Sequence, residues 1–314
     1  MYFSDQYLKK TNILEEPTFL KQNKINIVCI YSNTICLEST LDIIGSLEDM
    51  RQSGTWIGKI MVGGPHTSVG LDSLPDCVDH IVIGEGDISL PKIIDGQVLD
   101  RVVKGEKVQD LDSLPMPAWE EFIHLPYDWG HRWLNTYPMY TMNTSRGCPF
   151  SCTFCSVNSV WGKSYRFQSP EKIIEQIEVL KKYYGAKCIY FREDHFTLNK
   201  NRVIEFCELL LKKEIDIDWI CETRIDDLCD IEYQKTMKKA GCKFFYIGVE
   251  SGSPRMLEFY KKGETREQFI EAFSISKVKS KMCCKFSPVI DVFSLLGQPY
   301  YCPVQPFFGL LPIP

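Results

Sequence analysis

Between Met139 and Val249 short apolar runs alternate with amphipathic helical stretches, and this pattern confines the chain to a parallel α/β sheet. The runs are Tyr140 to Thr144, Lys187 to Phe191, Asp218 to Thr223 and Lys243 to Val249. Helix signals separate them. Ser169-Pro170-Glu171 offers an N-cap and a proline at the first helical position, Ile173, Ile174, Ile177, Leu180 and Tyr184 form one stripe, and Gly185 closes the helix. The next helix opens at Asn199 and carries Val203, Ile204, Cys207, Leu210 and Leu211 on its buried face. A third runs from about Ile231 to Ala240, and Thr265 with Gln268 makes a capping box for a fourth. Four βα units in sequence predict a barrel or partial barrel, with its functional groups at the C-terminal strand ends.

Residues 24 to 103 repeat the alternation more loosely. Ile25 to Tyr31, Gly58 to Val62 and Asp79 to Ile83 read as strands, with a helix from about Leu37 to Met50 after the first. The second strand ends in Gly63-Gly64-Pro65-His66 and the third in Gly84-Glu85-Gly86-Asp87. Glycine-rich turns after parallel strands are where such sheets bind ligands, although the same residues also make plain tight turns. Residues 104 to 138 lose all periodicity, and Pro115, Pro117, Pro126 and Pro138 interleave with Trp119, Trp129 and Trp133. This is the composition of a structured connector. The expected organisation is an α/β domain over 1–103, a linker over 104–138, a barrel over 139–280 and an atypical tail over 281–314. That tail holds six prolines and the pair Cys283-Cys284, and it is too short for two more βα units. A shortened reading frame is one expectation it raises.

Within the first barrel unit, Cys148, Cys152 and Cys155 stand at C-x3-C-x2-C spacing in a loop just after a strand. Three thiols without a fourth cysteine or a histidine at matching distance do not complete a structural zinc site. They suit a cubane in which three irons are held by thiolates and the fourth stays open for a small ligand. Most of the other cysteines lie singly in apolar segments, and Cys29, Cys188, Cys207, Cys221 and Cys242 read as small buried hydrophobes. With no signal-peptide core and no apolar run near ~20 residues, a cytosolic protein is expected. The net charge of −5 argues against a general nucleic-acid or membrane-surface binder.

The cysteine spacing, with the aromatic Phe154 before the last cysteine, resembles the signature of the radical SAM superfamily. The resemblance implies a [4Fe–4S] cluster on Cys148, Cys152 and Cys155. Its open iron would be chelated by the amino and carboxylate groups of S-adenosylmethionine (SAM), which is cleaved to a 5′-deoxyadenosyl radical. It further implies that Glu193 or Asp194, in Phe191-Arg192-Glu193-Asp194-His195, accepts from the SAM amino group. Arg224 suits the SAM carboxylate or a buried ion pair, and Glu250 and Ser251 of Gly248-Val249-Glu250-Ser251-Gly252 are expected near the ribose and carboxylate. Lys262-Gly263 also fits the family pattern, and His195 reads as structural.

The upstream GGPH and VDHIVIGEGD segments, the linker LDSLPMPAW and the run from Arg146 to Ile177 resemble the cobalamin-associated branch of that superfamily. This implies a partial, Rossmann-like doubly wound sheet before the barrel, with Gly63, Gly64, His66 and Glu85 as candidate cobalamin contacts. The D-x-H-x-x-G cobalamin-ligand motif is absent, and the family's fifth and sixth barrel strands are not found. The functional expectation is a SAM-cleaving enzyme of a methyltransferase-like branch, acting on an unidentified small molecule with an external electron donor. Two alternatives share the cysteines. One is an incomplete cluster- or SAM-binding module. The other is a methylthiotransferase-like enzyme acting on RNA, against which the acidic balance counts.

Overall fold

The computed structural model describes residues 17–123, 134–279 and 283–285. Two parallel sheets organise them. The first contains β1 (Ile27–Tyr31), β2 (Lys59–Gly63), β3 (His80–Ile83) and β4 (Val102–Lys104), hydrogen-bonded in that order. The second contains β5 (Met139–Met142), β8 (Cys188–Phe191), β9 (Asp218–Thr223), β10 (Cys242–Gly248) and β11 (Cys283–Lys285), also all parallel and laid side by side in chain order. A two-residue antiparallel ribbon, β6 (Ser145–Arg146) with β7 (Arg166–Phe167), brackets the cysteine loop.

The helices begin and end where their side chains cap them. Ser169 accepts from Lys172 N at 3.1 Å to start the helix Pro170–Tyr184, and Gly185 stops it in the left-handed region at φ 66°. Asn199 and Asp230 cap the helices Lys200–Lys212 and Ile231–Lys239 in the same way. Thr265 and Gln268 exchange both bonds of the capping box, at 2.8 and 3.2 Å. The stripe Ile173, Ile177 and Leu180 packs with Phe191, Phe206 and Trp219 in one buried core between helices and sheet. Each such side chain contributes roughly 1.5–3 kcal/mol by leaving water. A smaller cluster of Met139, Cys188, Ile220 and Phe244 faces the other side of the second sheet.

Four findings correct the sequence reading. β11 is a fifth strand of the second sheet, pairing Cys283 with Tyr246 and Lys285 with Gly248, where only four were found. Its three residues are too few to carry a recognisable period. β4 adds a strand beyond the three predicted upstream. The first sheet winds in one direction, so the reversal that makes a sheet doubly wound is not among the described residues. Among the described residues β1 therefore lies at an edge, and Cys29 is exposed rather than buried. Cys188, Cys207, Cys221 and Cys242 are buried.

The linker packs against the barrel instead of merely spanning a gap. Trp119 meets Tyr140 edge-on at 5.5 Å, Leu111 is buried, and Asp112 Oδ1 accepts from Ser169 N at 2.8 Å. Pro126, Trp129 and Trp133 lie outside the described residues, as do 286–314 of the tail. No helix among the described residues is long and apolar enough to cross a membrane.

Candidate active site

The cysteine loop leaves the C-terminal end of β5 and is tethered where it begins. Glu193, at the end of the neighbouring β8, accepts from Thr144 N at 2.6 Å and from the hydroxyls of Thr144 and Ser145. Arg202 reinforces the same spot, donating to Thr144 O at 3.1 Å and to Gln168 O at 3.0 Å. Gly147 then turns the chain at φ +86°, and a Cβ there would lie 2.2 Å from the Ser164 carbonyl oxygen. Only glycine meets both conditions.

Beyond the turn the loop folds on itself and on its far wall. Asn158 donates to Phe150 O at 2.7 Å, Cys155 N to Cys152 O at 3.1 Å, and Thr153 N to Tyr260 O at 2.9 Å. Cys148 and Cys152 are half-buried and Cys155 is exposed. Burial pushes the Cys148 thiol up, while the Phe150 N–H bonded to it works the other way. The Val157 N–H makes the equivalent bond to Cys155. Backbone amides aimed at sulfur stabilise thiolate charge.

The two acids after β8 have separate positions. Glu193 is buried with both oxygens engaged by Thr144 and Ser145, so it anchors the loop and is not placed to receive an ammonium group. Asp194 opens to solvent on one side. Desolvation by the surrounding chain, then the carboxylates of Glu222 and Glu193, push its carboxyl up to about 6.

At the end of β9, Arg224 closes an ion pair. Its Nε and Nη2 each lie 3.1 Å from an Asp226 oxygen, Glu264 stands at 3.5 Å, and the guanidinium sits 3.9 Å over the Phe150 ring. After β10, Glu250 takes a positive φ of 58° and its carboxylate folds back over Gly248, where a Cβ would come within 2.6 Å of Oε1. Ser251 Oγ accepts from Ser253 N at 3.1 Å, capping the next turn. Lys262 is buried between Glu250 at 3.9 Å and Glu264 at 3.6 Å, and lies 6.0 Å over the ring of Phe154. His195 bonds Asp227 at 2.5 Å. Phe150, Asp226 and Glu264 were not singled out in the sequence, because each gains its role only from a neighbour distant along the chain.

The first sheet presents its own C-terminal strand ends to this loop. Glu85 is buried and accepts from Arg146 at 2.8 Å, from Arg166, and from Val108 N at 3.2 Å. Arg146 also reaches both oxygens of Asp87, at 2.7 and 3.1 Å, and lies 5.2 Å over Trp161. Burial alone would raise the Glu85 carboxyl, but the bonds from Arg166 and Arg146 outweigh it and hold the group below its ordinary range. Gly63 ends β2 beside Tyr31. Gly64 turns at φ +104° against the Ser32 carbonyl, and the turn Pro65–Ser68 packs on the helix Val157–Val160 just after Cys155. His66 is buried with Nδ1 bonded to Thr34 at 3.0 Å and Nε2 to Ser73 at 2.8 Å. Glu85 and His66 thus spend their polar atoms on protein partners, and the carbonyls of Gly63 and Gly64 likewise accept from Ser32 N at 2.8 Å and Thr67 N at 3.2 Å.

Residues 142–291 match the radical SAM superfamily. The chain is 34% identical over 240 residues to an uncharacterized methyltransferase of Pyrococcus horikoshii, covering 69% of this chain and 51% of that protein. It is 27% identical over 285 residues to bacteriochlorophyllide d C-8(2)-methyltransferase of Chlorobaculum tepidum, covering 87% of this chain and 61% of the relative. The fold superposes on the cobalamin-dependent S-adenosylmethionine radical enzyme OxsB with a TM-score of 0.76 at 23% identity, over 90% of this chain and 43% of that one. The chain therefore spans about half the length of the curated relatives it matches. The family match falls on the same strands and the same loop that hold Cys148, Cys152 and Cys155, and the chain belongs to the radical SAM superfamily.

Proposed function

We propose that Cys148, Cys152 and Cys155 hold a [4Fe–4S] cluster and that the strand ends around them bind SAM, making the chain the catalytic part of a methyltransferase-like enzyme. Membership of the superfamily implies both groups. The donor set fits them. Three thiols spaced along one loop suit separate corners of a cubane. The N–H bonds from Phe150 and Val157 to Cys148 and Cys155 are of the kind that support cluster thiolates.

When bound, the cluster and SAM supply one-electron cleavage of the sulfonium to a 5′-deoxyadenosyl radical, with the electron coming from an external donor. The chain's own residues position and shield that chemistry. Glu193 and Arg202 fix the loop at its base, and Asp194 offers a carboxylate to the SAM ammonium. Glu250 and Ser251 line the ribose and carboxylate side, and Phe154 closes the loop beside Tyr260 at 5.3 Å.

On this reading cobalamin would be held by the turn that follows β2, at Gly63 and Gly64. His66 and Glu85 then act as supports rather than ligands. The substrate is a small molecule, and the compartment is the cytoplasm.

The loop of three thiols at the barrel's C-terminal mouth carries this proposal. Anaerobically reconstituted protein is expected to show the broad absorbance of a [4Fe–4S] cluster and to release 5′-deoxyadenosine from SAM with dithionite. A cluster that yields no more deoxyadenosine than a Cys148→Ala control would refute the catalytic reading and leave a binding module.

A further inference from the structure

We infer that Lys262 is a redox-setting residue, a buried cation held against the cysteine loop by Glu250 and Glu264 that raises the reduction potential of the cluster. The inference rests on the cluster reading above. Three observations lead to it. First, Lys262 is buried, and its ammonium lies 3.6 and 3.9 Å from two carboxylates, beyond hydrogen-bond distance of both. Second, the pair packs closely on the strand end, where a Cβ on Gly248 would lie 2.6 Å from Glu250 Oε1 and 3.2 Å from Lys262 Nζ.

Third, the cation is aimed at the loop. It lies 6.0 Å over the ring of Phe154, which stands between Cys152 and Cys155. Arg224 does the same on the other side, 3.9 Å over Phe150 between Cys148 and Cys152. Arg224 is bound to Asp226 through two hydrogen bonds, whereas Lys262 stands 3.6 and 3.9 Å from its two carboxylates.

Reduction adds one negative charge to the cluster, and a cation nearby stabilises that product. Removing the cation must therefore make the potential more negative, and removing an opposing carboxylate must make it less so. Glu250 is the cleaner carboxylate to change, since Glu264 also accepts from Ile225 N at 3.1 Å and holds the backbone turn.

The test is a redox titration of the reconstituted cluster followed by electron paramagnetic resonance, without SAM, on wild type, Lys262→Met, Lys262→Arg and Glu250→Gln. Lys262→Met is expected to lower the reduced-to-oxidised ratio at fixed potential by on the order of tenfold, about 59 mV for a one-electron couple. Lys262→Arg keeps the wild-type value, and Glu250→Gln moves it the opposite way. Shifts of the same sign in Lys262→Met and Glu250→Gln would mean general loosening of the loop and overturn the inference, as would unchanged potentials in both. A wild-type protein that takes up no cluster overturns the cluster reading and this inference together, whereas a cluster with unmoved potentials overturns the inference alone.

Discussion

Replacing Glu85 by alanine is expected to loosen the first sheet from the cysteine loop at a cost that the structure lets us size. The Glu85 side chain is 1% exposed and answers two guanidiniums, Arg146 at 2.8 Å and Arg166, as well as the Val108 N–H. Removing one partner of a buried ion pair leaves uncompensated charge and typically costs ~3–5 kcal/mol. Asp87 still faces Arg146, but Arg166 has no second carboxylate within ion-pair distance among the described residues. For a body of this size ~1 kcal/mol shifts the thermal midpoint by ~2–4 °C, so Glu85→Ala should melt roughly 6–20 °C lower. Asp87→Asn is the internal control. That side chain is 30% exposed and shares Arg146 with Glu85, so its loss should cost at most about 1 kcal/mol. Both variants can be compared by calorimetry and by urea titration of the cluster-free protein at neutral pH. The pH dependence gives a second signature. Because the folded carboxyl of Glu85 is held below its ordinary range, its contribution is present above the unfolded value and disappears as pH falls through the folded one. Glu85→Gln should therefore lose stability at neutral pH and show a shallower acid limb than wild type. An Asp87→Asn protein less stable than Glu85→Ala would refute the argument.

Three further outcomes follow from local geometry. Gly147→Ala places a Cβ 2.2 Å from the Ser164 carbonyl at a positive φ, so iron uptake should fall sharply while the far-UV spectrum stays near that of wild type. Ser169→Ala removes an N-cap and should cost ~1 kcal/mol in urea titration without changing iron content. Arg202→Met strips the donors to Thr144 O and Gln168 O from a buried site, and a loss of several kcal/mol together with lower cluster occupancy is expected. An Arg202→Met protein of wild-type stability would show that Glu193 alone anchors the loop.

The legible part of this protein is what local chemistry writes. The caps at Ser169, Asn199 and Thr265, the stripe of Ile173, Ile177 and Leu180, and the three thiols of the loop all stand within a few residues of the features that reveal them. Strand limits fall within a residue or two of expectation. What sequence could not carry is pairing over distance. Glu193 and Asp194 are adjacent in the chain, yet one faces the base of the loop and the other its mouth, because successive residues leaving a strand point to opposite sides. Arg224 offered two readings, and only the fold brings Asp226 and, from forty residues downstream, Glu264 to its guanidinium. Glu85 sits in a glycine-rich turn that invites a ligand, and only the fold brings Arg166 to it. The edge position of β1, and with it the exposure of Cys29, depends on which strands are neighbours, which no periodicity records.

The tethers of the cysteine loop also fix an order of events. Thr144 is tied to Glu193 across 49 residues, Arg146 to Glu85 across 61, and Thr153 to Phe259 across 106. Contacts of such separation form late, since closing long stretches of chain carries an entropic cost that local helices avoid. The loop thus takes its shape from protein bonds made once both sheets have met. Mutations that slow the meeting of the two sheets should therefore reduce cluster loading in the cell even where every ligand is intact.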